Sequence, residues 1–256
     1  MEPTAARATK VVRIPSLLSA AEIAEIHRVA ALVASEAASE HRGPNRAWRV
    51  QYLQSDNALE RHLPALAAKL RDAAARVDRD AGWNLLAPSG GWNLRCAEYH
   101  RMGEGGGLSD PRHYDLGSLL TLDVLLEPPV AGGVFCTTEP DGAVARHEEF
   151  SRGDALVFVA HKPHHVLPVT RGFRQVLVCE YWEGVAAVCP HRCEKPAGCD
   201  VTAATARRED EAQLEDALFA TFEPGLLEDA MRAMREEDEG PVSGQAAKLS
   251  GRVLLG

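Results

Sequence analysis

The stretch that decides the fold begins with His113-Tyr114-Asp115 and ends with the segment HHVLPVTRGFR at residues 164–174. In a β-strand, residues two apart point to the same face, so His113 and Asp115 can direct an imidazole and a carboxylate at one point. A second imidazole from a distant strand would complete a set of two histidines and one carboxylate, which leaves open positions on Fe(II). Because surface loops contain His-x-Asp by chance, this interpretation depends on the second segment.

Four short motifs follow one another along the chain. They are HYD at 113–115, GGVF at 132–135, GDALVF at 153–158 and H-x-x-x-P-V-x-x-G-x-R at 164–174. Over roughly residues 93–184 they resemble the iron- and 2-oxoglutarate-dependent dioxygenases of the prolyl 4-hydroxylase-like group, which includes prolyl and lysyl hydroxylases. The resemblance implies an α+β fold, with a double-stranded β-helix core (jelly-roll or cupin-like), N-terminal supporting helices and a C-terminal helical tail.

The resemblance also implies the metal ligands, which are His113, Asp115 and His164. His161 and His165 are alternatives for the third ligand because they lie nearby in the sequence. In the family, the third ligand lies four residues before the proline and ten residues before the basic residue of this segment. His164 has this position. Since adjacent residues in a strand point to opposite faces, only one of His164 and His165 can face the metal.

In the resembled family, a basic residue binds the distal carboxylate of 2-oxoglutarate, and Arg174 has that position. A guanidinium binds a carboxylate through two hydrogen bonds and stays charged, which suits an anion held inside an apolar barrel. Tyr99 and Thr121 resemble positions whose hydroxyls help to hold the same carboxylate. The competing interpretations are a surface ion pair for Arg174, a core tyrosine and a buried strand threonine. Arg101 and Arg171 are expected on the exterior.

The activity implied by the resemblance is hydroxylation of a C–H bond, with O2 and 2-oxoglutarate consumed and succinate and CO2 released. The expected substrate is a prolyl or lysyl side chain of a protein, and the alternative is a free amino acid or another small molecule. The family also suggests dependence on ascorbate. Because Asp115 is present, a hydroxylase is favoured over a halogenase, which needs that position free for halide. A second alternative is a metal-binding β-barrel without catalysis.

The chain is expected to divide into four regions. Residues 1–92 form a helical support, 93–184 the dioxygenase core, 185–204 a Cys-rich loop and 205–256 an acidic helical tail.

In the first region, Ser19-Ala20-Ala21-Glu22 predicts a capping box before a helix, and His27 on that helix is expected to be an ordinary surface or packing residue. A strand over 47–53 and a helix over 57–81 follow, with Pro64 in the first turns of this helix or breaking it.

From Trp92 the pattern changes to short β-rich runs separated by Gly and Pro, which is typical of a sandwich or jelly roll. The predicted strands are Asn93–Arg101, Ser118–Leu126, Gly133–Thr138, Ala155–Ala160 and Phe173–Trp182. The second is too apolar for an edge strand and suits a buried one. The Gly-rich run 102–108 is expected to cross the barrel mouth or to move as a lid, because glycine tolerates conformations that other residues avoid.

The segment after the last predicted strand has the pattern Cys-x-His-x-Cys-x5-Cys. It comprises Cys189, His191, Cys193 and Cys199. Three thiols and an imidazole can bind structural zinc, but the spacing differs from the usual Cys-x2-Cys knuckles. Reduced structural thiols and a disulfide such as Cys193–Cys199 are the alternatives.

The charge of the chain is concentrated near its C-terminus. The net charge is −9, and residues 205–240 hold twelve Asp and Glu against four Arg, which contributes −8. The tail is predicted to form two acidic helices separated at 223–225. The sequence has no basic, aromatic-interleaved surface for nucleic acid, no run long enough to span a membrane and no visible secretory signal. A cytosolic location is therefore expected, with reduced cysteines.

Overall fold

Three antiparallel sheets form the body of the protein in the computed structural model, which describes residues 6, 8–36, 40–43, 46–87 and 90–221. The strands are β1 (Val12–Ile14), β2 (Glu40–Arg42), β3 (Trp48–Tyr52), β4 (Asn93–Met102), β5 (Leu120–Glu127), β6 (Ala131–Gly132), β7 (Phe135–Thr138), β8 (Val144–Arg146), β9 (Ala155–Val159), β10 (His164–Val166), β11 (Val169–Arg171) and β12 (Arg174–Trp182). The helices are α1 (Ala20–Glu36), α2 (Ala58–His62), α3 (Pro64–Asp80) and α4 (Asp200–Thr221).

The largest sheet has seven strands in the order β1-β9-β5-β12-β4-β3-β2, and all its pairings are antiparallel. A second sheet has the order β10-β7-β8, and β11 pairs with β6. The five strands predicted beyond residue 92 are confirmed, with ends that differ by up to two residues. The described chain is thus a mixed α+β protein with antiparallel sheets, as expected.

The central strands bury both faces. On β5, Leu120, Leu122 and Val124 pack into a core with residues of α1 and α3, whereas Thr121 and Asp123 point to the other side and line a cavity. The residues of β12 and β4 also alternate between the face that packs on the helices and the face that lines the cavity, because successive strand residues point in opposite directions. The predicted burial of β5 is confirmed.

A second apolar cluster lies between the large and the small sheet. It joins residues of β3, β4 and β9 to residues of β7, β10 and β11, namely Trp48, Val50, Tyr52, Met102, Leu156, Phe158, Phe135, Val166 and Val169. The two sheets therefore face each other and enclose the cavity. The two ends of the Gly-rich run, Met102 and Leu108, line this cavity. Between them, Gly107 approaches the Val166 carbonyl so closely that an added Cβ would lie 2.8 Å from it.

The helix predicted over 57–81 is interrupted, and Pro64 is the reason. A proline has no N–H to donate and its fixed φ suits the first turn of a helix. Accordingly α2 ends at His62 and α3 begins at Pro64. The strand predicted over 47–53 is confirmed as β3.

The region before residue 92 contributes strands to the large sheet as well as helices, because β1 pairs with β9 and β3 pairs with β4. One compact unit runs from Met1 to Ala206, and a second from Arg207 to Gly256. The acidic tail begins within α4, whereas the predicted break at 223–225 and the second helix lie outside the described residues. Within the described part of the chain, no helix is long and apolar enough to cross a membrane.

The capping box of α1 is confirmed. The Glu22 carboxylate accepts hydrogen bonds from the backbone N–H and the hydroxyl of Ser19, each at 2.8 Å. Lys69 Nζ on α3 lies 2.7 Å from the same carboxylate. The Lys69 hydrogen bond is the main reason why the pKa of Glu22 falls to about 2. Glu22 therefore joins the start of α1 to α3.

Substitution Glu22→Ala is expected to lower the free energy of unfolding by about 1 kcal/mol at pH 7, because it removes the cap and the Lys69 contact. Since the pKa of Glu22 is depressed on folding, its contribution is complete above the unfolded pKa of 4.5 and is lost as the pH falls towards about 2. Urea unfolding from pH 7 to pH 3 should show the difference shrinking below pH 4.5. Glu25→Ala, which removes only an exposed pair with Arg28, is the matched control; an equal loss in both variants would contradict the assignment.

Candidate metal and co-substrate site

Backbone hydrogen bonds bring the two ligand-bearing segments together. His113 and Asp115 lie in an extended loop before β5, and not within a strand as expected. The His164 N–H donates to the His113 carbonyl at 2.8 Å, and the Asp115 N–H donates to the Ala160 carbonyl at 2.8 Å. These two backbone hydrogen bonds hold the loop as the hydrogen bonds of a β-sheet would. The side chains of His113 and Asp115 therefore point to the same side.

His113, Asp115 and His164 converge on one point. Their ligand atoms lie within 4.8 Å of one another. Asp115 Oδ1 lies 3.4 Å from His113 Nε2 and 3.8 Å from His164 Nε2, and the two imidazole rings meet edge to face with centroids 5.0 Å apart. Two imidazoles and one carboxylate on one side of an open cavity match the donor set of Fe(II) sites that keep free positions.

Hydrogen bonding presents the correct nitrogen of His164 to the cavity. Its Nδ1 lies 3.0 Å from the Lys162 carbonyl, which can only accept, so Nδ1 carries the proton and Nε2 keeps its lone pair. Burial lowers the pKa of His164, which keeps the imidazole neutral. Burial opposes ionisation of Asp115, but the nearby His164 and His113 and the Thr121 hydroxyl outweigh it and hold the pKa of Asp115 well below its usual range. His164 and Asp115 are thus in the forms that bind metal.

The Thr121 hydroxyl lies in the cavity wall and donates to Asp115 Oδ2 at 2.6 Å. This hydrogen bond leaves Oδ1 as the oxygen directed at the two imidazoles. Thr121 therefore orients the Asp115 carboxylate, and its predicted contact with 2-oxoglutarate stays a prediction.

The other two histidines lie away from this cluster. His165 is opposite Cys136 in the β10–β7 pair and does not line the cavity, as the alternation of strand residues requires. His161 packs its ring against Tyr114, with centroids 5.5 Å apart. Of the three neighbouring histidines, the structure brings His164 to the cluster.

Arg174 lines the same cavity and is buried. Its Nη2 lies 3.3 Å from Asp123 Oδ2, and Asp123 Oδ1 has no hydrogen-bond partner among the described residues. Burial raises the pKa of Asp123, although Arg174 opposes the rise. The buried Arg174 guanidinium therefore offers donors for an anionic ligand.

Tyr99 is on the wrong face of β4 for the predicted role. Its hydroxyl lies 2.8 Å from His27 Nδ1 and accepts a hydrogen bond from the Gln175 amide at 2.6 Å. The cavity-facing residues of β4 have even numbers, such as Glu98 and His100, so Tyr99 faces the helices. The competing interpretation, a core tyrosine, is the correct one, and His27 is a packing residue as expected. Arg101 and Arg171 are exposed, also as expected.

Polar residues that sequence reasoning missed line the rest of the cavity. His100 accepts from the Trp48 indole at 2.7 Å and lies 2.8 Å from Glu98. Burial opposes ionisation of Glu98, but the His100 contact prevails and lowers its pKa. Opposite them, Arg192 makes two 2.8 Å hydrogen bonds to Glu180. Buried polar residues at alternate positions of β4 and β12 were the available signal, because such residues line cavities more often than cores.

The cavity has a volume of about 680 Å³, part of which is open to solvent. It contains both the His113, Asp115 and His164 cluster and the Arg174 guanidinium. The donor set fits Fe(II), and a buried arginine fits the distal carboxylate of 2-oxoglutarate. The residues present therefore fit both groups.

Comparison with known proteins shows the fold. No protein-family profile matches the chain, and no curated protein sequence matches it significantly. A 2OG-Fe(II) oxygenase family oxidoreductase from Burkholderia pseudomallei superposes with a TM-score of 0.51 and 17% identity, over 71% of this chain and 88% of the other. The non-heme α-ketoglutarate-dependent epimerase SnoN of nogalamycin biosynthesis gives 0.52 and 20%, over 73% and 84%. A Trichoplax adhaerens prolyl hydroxylase, solved with a peptide of hypoxia inducible factor, gives 0.50 and 14%, over 68% and 83%. This chain therefore has the fold of 2OG-Fe(II) oxygenases.

Substitution Thr121→Val removes the hydroxyl from Asp115 at almost constant volume. We expect metal affinity to fall about 10- to 100-fold, because an outer hydrogen bond orients the carboxylate ligand. Anaerobic titration with Fe(II) against a competing chelator measures this change. Thr121→Ser keeps the hydroxyl and should stay within about threefold of the parent. Equal affinity in the valine and serine variants would contradict the role of this contact.

Proposed function

We propose that this protein is an Fe(II)- and 2-oxoglutarate-dependent dioxygenase that hydroxylates a C–H bond of a prolyl or lysyl side chain in a protein. The observation that carries the proposal is the convergence of His113, Asp115 and His164 in one cavity with a buried Arg174. We further infer that the two facing sheets form a double-stranded β-helix. The similar fold of known 2OG-Fe(II) oxygenases supports both statements.

Each side chain has a distinct task in the proposed reaction. His113, Asp115 and His164 hold the metal, and Thr121 fixes the orientation of Asp115. Arg174 binds the distal carboxylate of 2-oxoglutarate, and Asp123 holds the guanidinium in place. When bound, Fe(II) and 2-oxoglutarate supply an oxidative decarboxylation that drives insertion of oxygen into a C–H bond.

Apolar side chains keep water away from the reacting groups. Phe135 stacks on the His164 ring with centroids 5.5 Å apart, and Phe158 meets the same ring at 4.9 Å. Both line the cavity together with Val166. A site shielded in this way strengthens the electrostatic contacts that orient the substrate.

The charges of the cavity favour an amine-bearing substrate. Glu98 is ionised and its Oε1 has no hydrogen-bond partner among the described residues. A buried carboxylate oxygen without a partner is costly unless a ligand supplies one. A lysyl ammonium group fits this oxygen better than a prolyl ring does. A free amino acid is the second candidate, because Arg42 lines the same cavity and can bind an α-carboxylate.

The test of the proposed function is succinate formation by full-length protein loaded anaerobically with Fe(II), then given O2, ascorbate and 2-oxoglutarate. Peptides containing lysine or proline and free amino acids are supplied in parallel, and products are checked for addition of one oxygen by mass spectrometry. His164→Ala should abolish turnover, whereas His165→Ala should retain it because His165 faces away from the cavity. A wild-type protein that binds Fe(II) but never consumes 2-oxoglutarate with any substrate would instead support a non-catalytic metal-binding barrel.

Substitution Arg174→Ala is expected to raise the KM for 2-oxoglutarate about 100-fold, since truncating a buried charged partner costs roughly 3 kcal/mol. Arg174→Lys keeps the charge without the paired hydrogen bonds and should give an intermediate value. Initial rates at varied 2-oxoglutarate measure both. Metal affinity is the control and should stay at the parent value in both variants. An unchanged KM in Arg174→Ala would place the co-substrate elsewhere.

A further inference from the structure

We propose that Cys189, His191, Cys193 and Cys199 bind a structural zinc ion, which holds the loop that carries Arg192 against the oxygenase cavity. The four candidate ligand atoms lie within 4.8 Å of one another. In a tetrahedral site with Zn–S bonds of about 2.3 Å, sulfurs lie about 3.8 Å apart, so small side-chain rotations complete the geometry. The proposal of zinc binding at these four residues is independent of the proposed oxygenase reaction.

One bent segment supplies three of the ligands. The chain bends at residues 189–191, and the ligand atoms of Cys189, His191 and Cys193 lie close together. Cys199 is the residue just before α4. Arg192 lies between two of these ligands in the sequence and lines the cavity.

The surroundings of the thiols fit a closed structural site. Cys189, Cys193 and Cys199 are buried and pack with Trp182 and Ala187 in a small cluster of their own. All six cysteines are free thiols, so the alternative disulfide Cys193–Cys199 is not formed. A cluster with three thiols and an imidazole has the Cys3His composition of structural zinc sites.

The loop that carries the four residues lacks regular structure. Residues 183–199 contain no helix or strand, and loops of this length without regular structure are uncommon in compact proteins. Around Arg192, side chains of the body hold the loop backbone: the Gln54 amide donates to the Cys189 and His191 carbonyls at 2.9 and 3.1 Å, and Arg95 donates to the Cys193 carbonyl. A metal bound by residues on both sides of Arg192 restricts that residue directly.

The consequence for the cavity follows from the contacts of Arg192. Its guanidinium holds the buried Glu180 and also donates to the Leu116 carbonyl at 2.9 Å, one residue after Asp115. A zinc ion at the cysteine cluster would therefore stabilise the wall of the cavity beside the proposed iron ligand. This second part of the inference rests on the proposed function, whereas zinc binding itself does not.

Cobalt(II) titration of the reduced, metal-free chain tests the site. His113→Ala/His164→Ala protein is used as the background, so that the histidine and carboxylate cluster cannot bind the metal. We expect one cobalt per chain, with the near-ultraviolet thiolate charge-transfer band and the intense visible bands of a tetrahedral site, all displaced by zinc. The proposed iron site has no thiolate. The Cys96, Glu98 and Glu180 group offers a single thiol, so loss of the band in serine variants of the cysteine cluster assigns the spectrum to that cluster.

Cys193→Ser and Cys199→Ser should each weaken cobalt binding more than about 100-fold, because they remove a direct ligand. Cys136→Ser, which alters a buried thiol outside the cluster, is the matched control and should bind as the parent does. A missing thiolate band, or a band that persists in Cys193→Ser and Cys199→Ser, would overturn the site. A count of four titratable thiols instead of six in the unfolded and unreduced protein would indicate a disulfide, and it would also overturn the site.

Hydrogen exchange of wild-type protein tests the link to the loop. The Val185 and Ala187 amides donate to the Pro196 and Leu94 carbonyls at 2.8 and 3.1 Å, so they report on the order of this segment. Zinc is expected to slow exchange across residues 185–199 at least tenfold relative to metal-free protein. Equal exchange with and without zinc would refute the holding role, even if succinate formation proved the oxygenase function correct.

Discussion

The structure depends on one constraint, which is that the central strands of the large sheet must bury both faces. One face of β5, β12 and β4 packs on helices, and the other faces the small sheet across a cavity. The helical face is filled with leucine, valine and tyrosine. The cavity face can therefore hold costly buried charges, because the antiparallel pairing and the apolar core behind it fix the strands in register.

Charged groups on the cavity face are kept in place by one another. Asp115 is held by Thr121 and two imidazoles, Asp123 by Arg174, and Glu180 by Arg192. Breaking one of these pairs would leave a buried charge without compensation, which costs far more than the loss of a surface pair. The site is thus rigid before any ligand arrives, and this agrees with its proposed function, in which side chains orient a metal and an anion.

The cysteine cluster extends this arrangement to a loop without regular structure. Arg192 lies between two proposed zinc ligands and also on the wall of the proposed active site, so a single residue connects the two centres. The proposed active site and the cysteine cluster differ in their surroundings. One centre is open and lined by alternating polar residues, whereas the thiols of the other are buried against Trp182 and its His191 is exposed.

The sequence by itself determined the order of the strands along the chain and the start or break of a helix at Pro64, because periodicity and proline geometry are local properties. The preference for His164 over His165 came from the spacing of the resembled family. Only the tertiary structure decided which residues share the cavity. Tyr99 lies on β4 between two residues that face the cavity, and it faces the helices instead. Which of the two faces of β4 lines the cavity depends on the register of the strand. Asp123, Glu98 and Arg192 reach the site through pairings between distant segments, which no local pattern records. The convergence of four ligands around Cys193 is decided in the same way, because Cys199 comes from a separate turn of the chain.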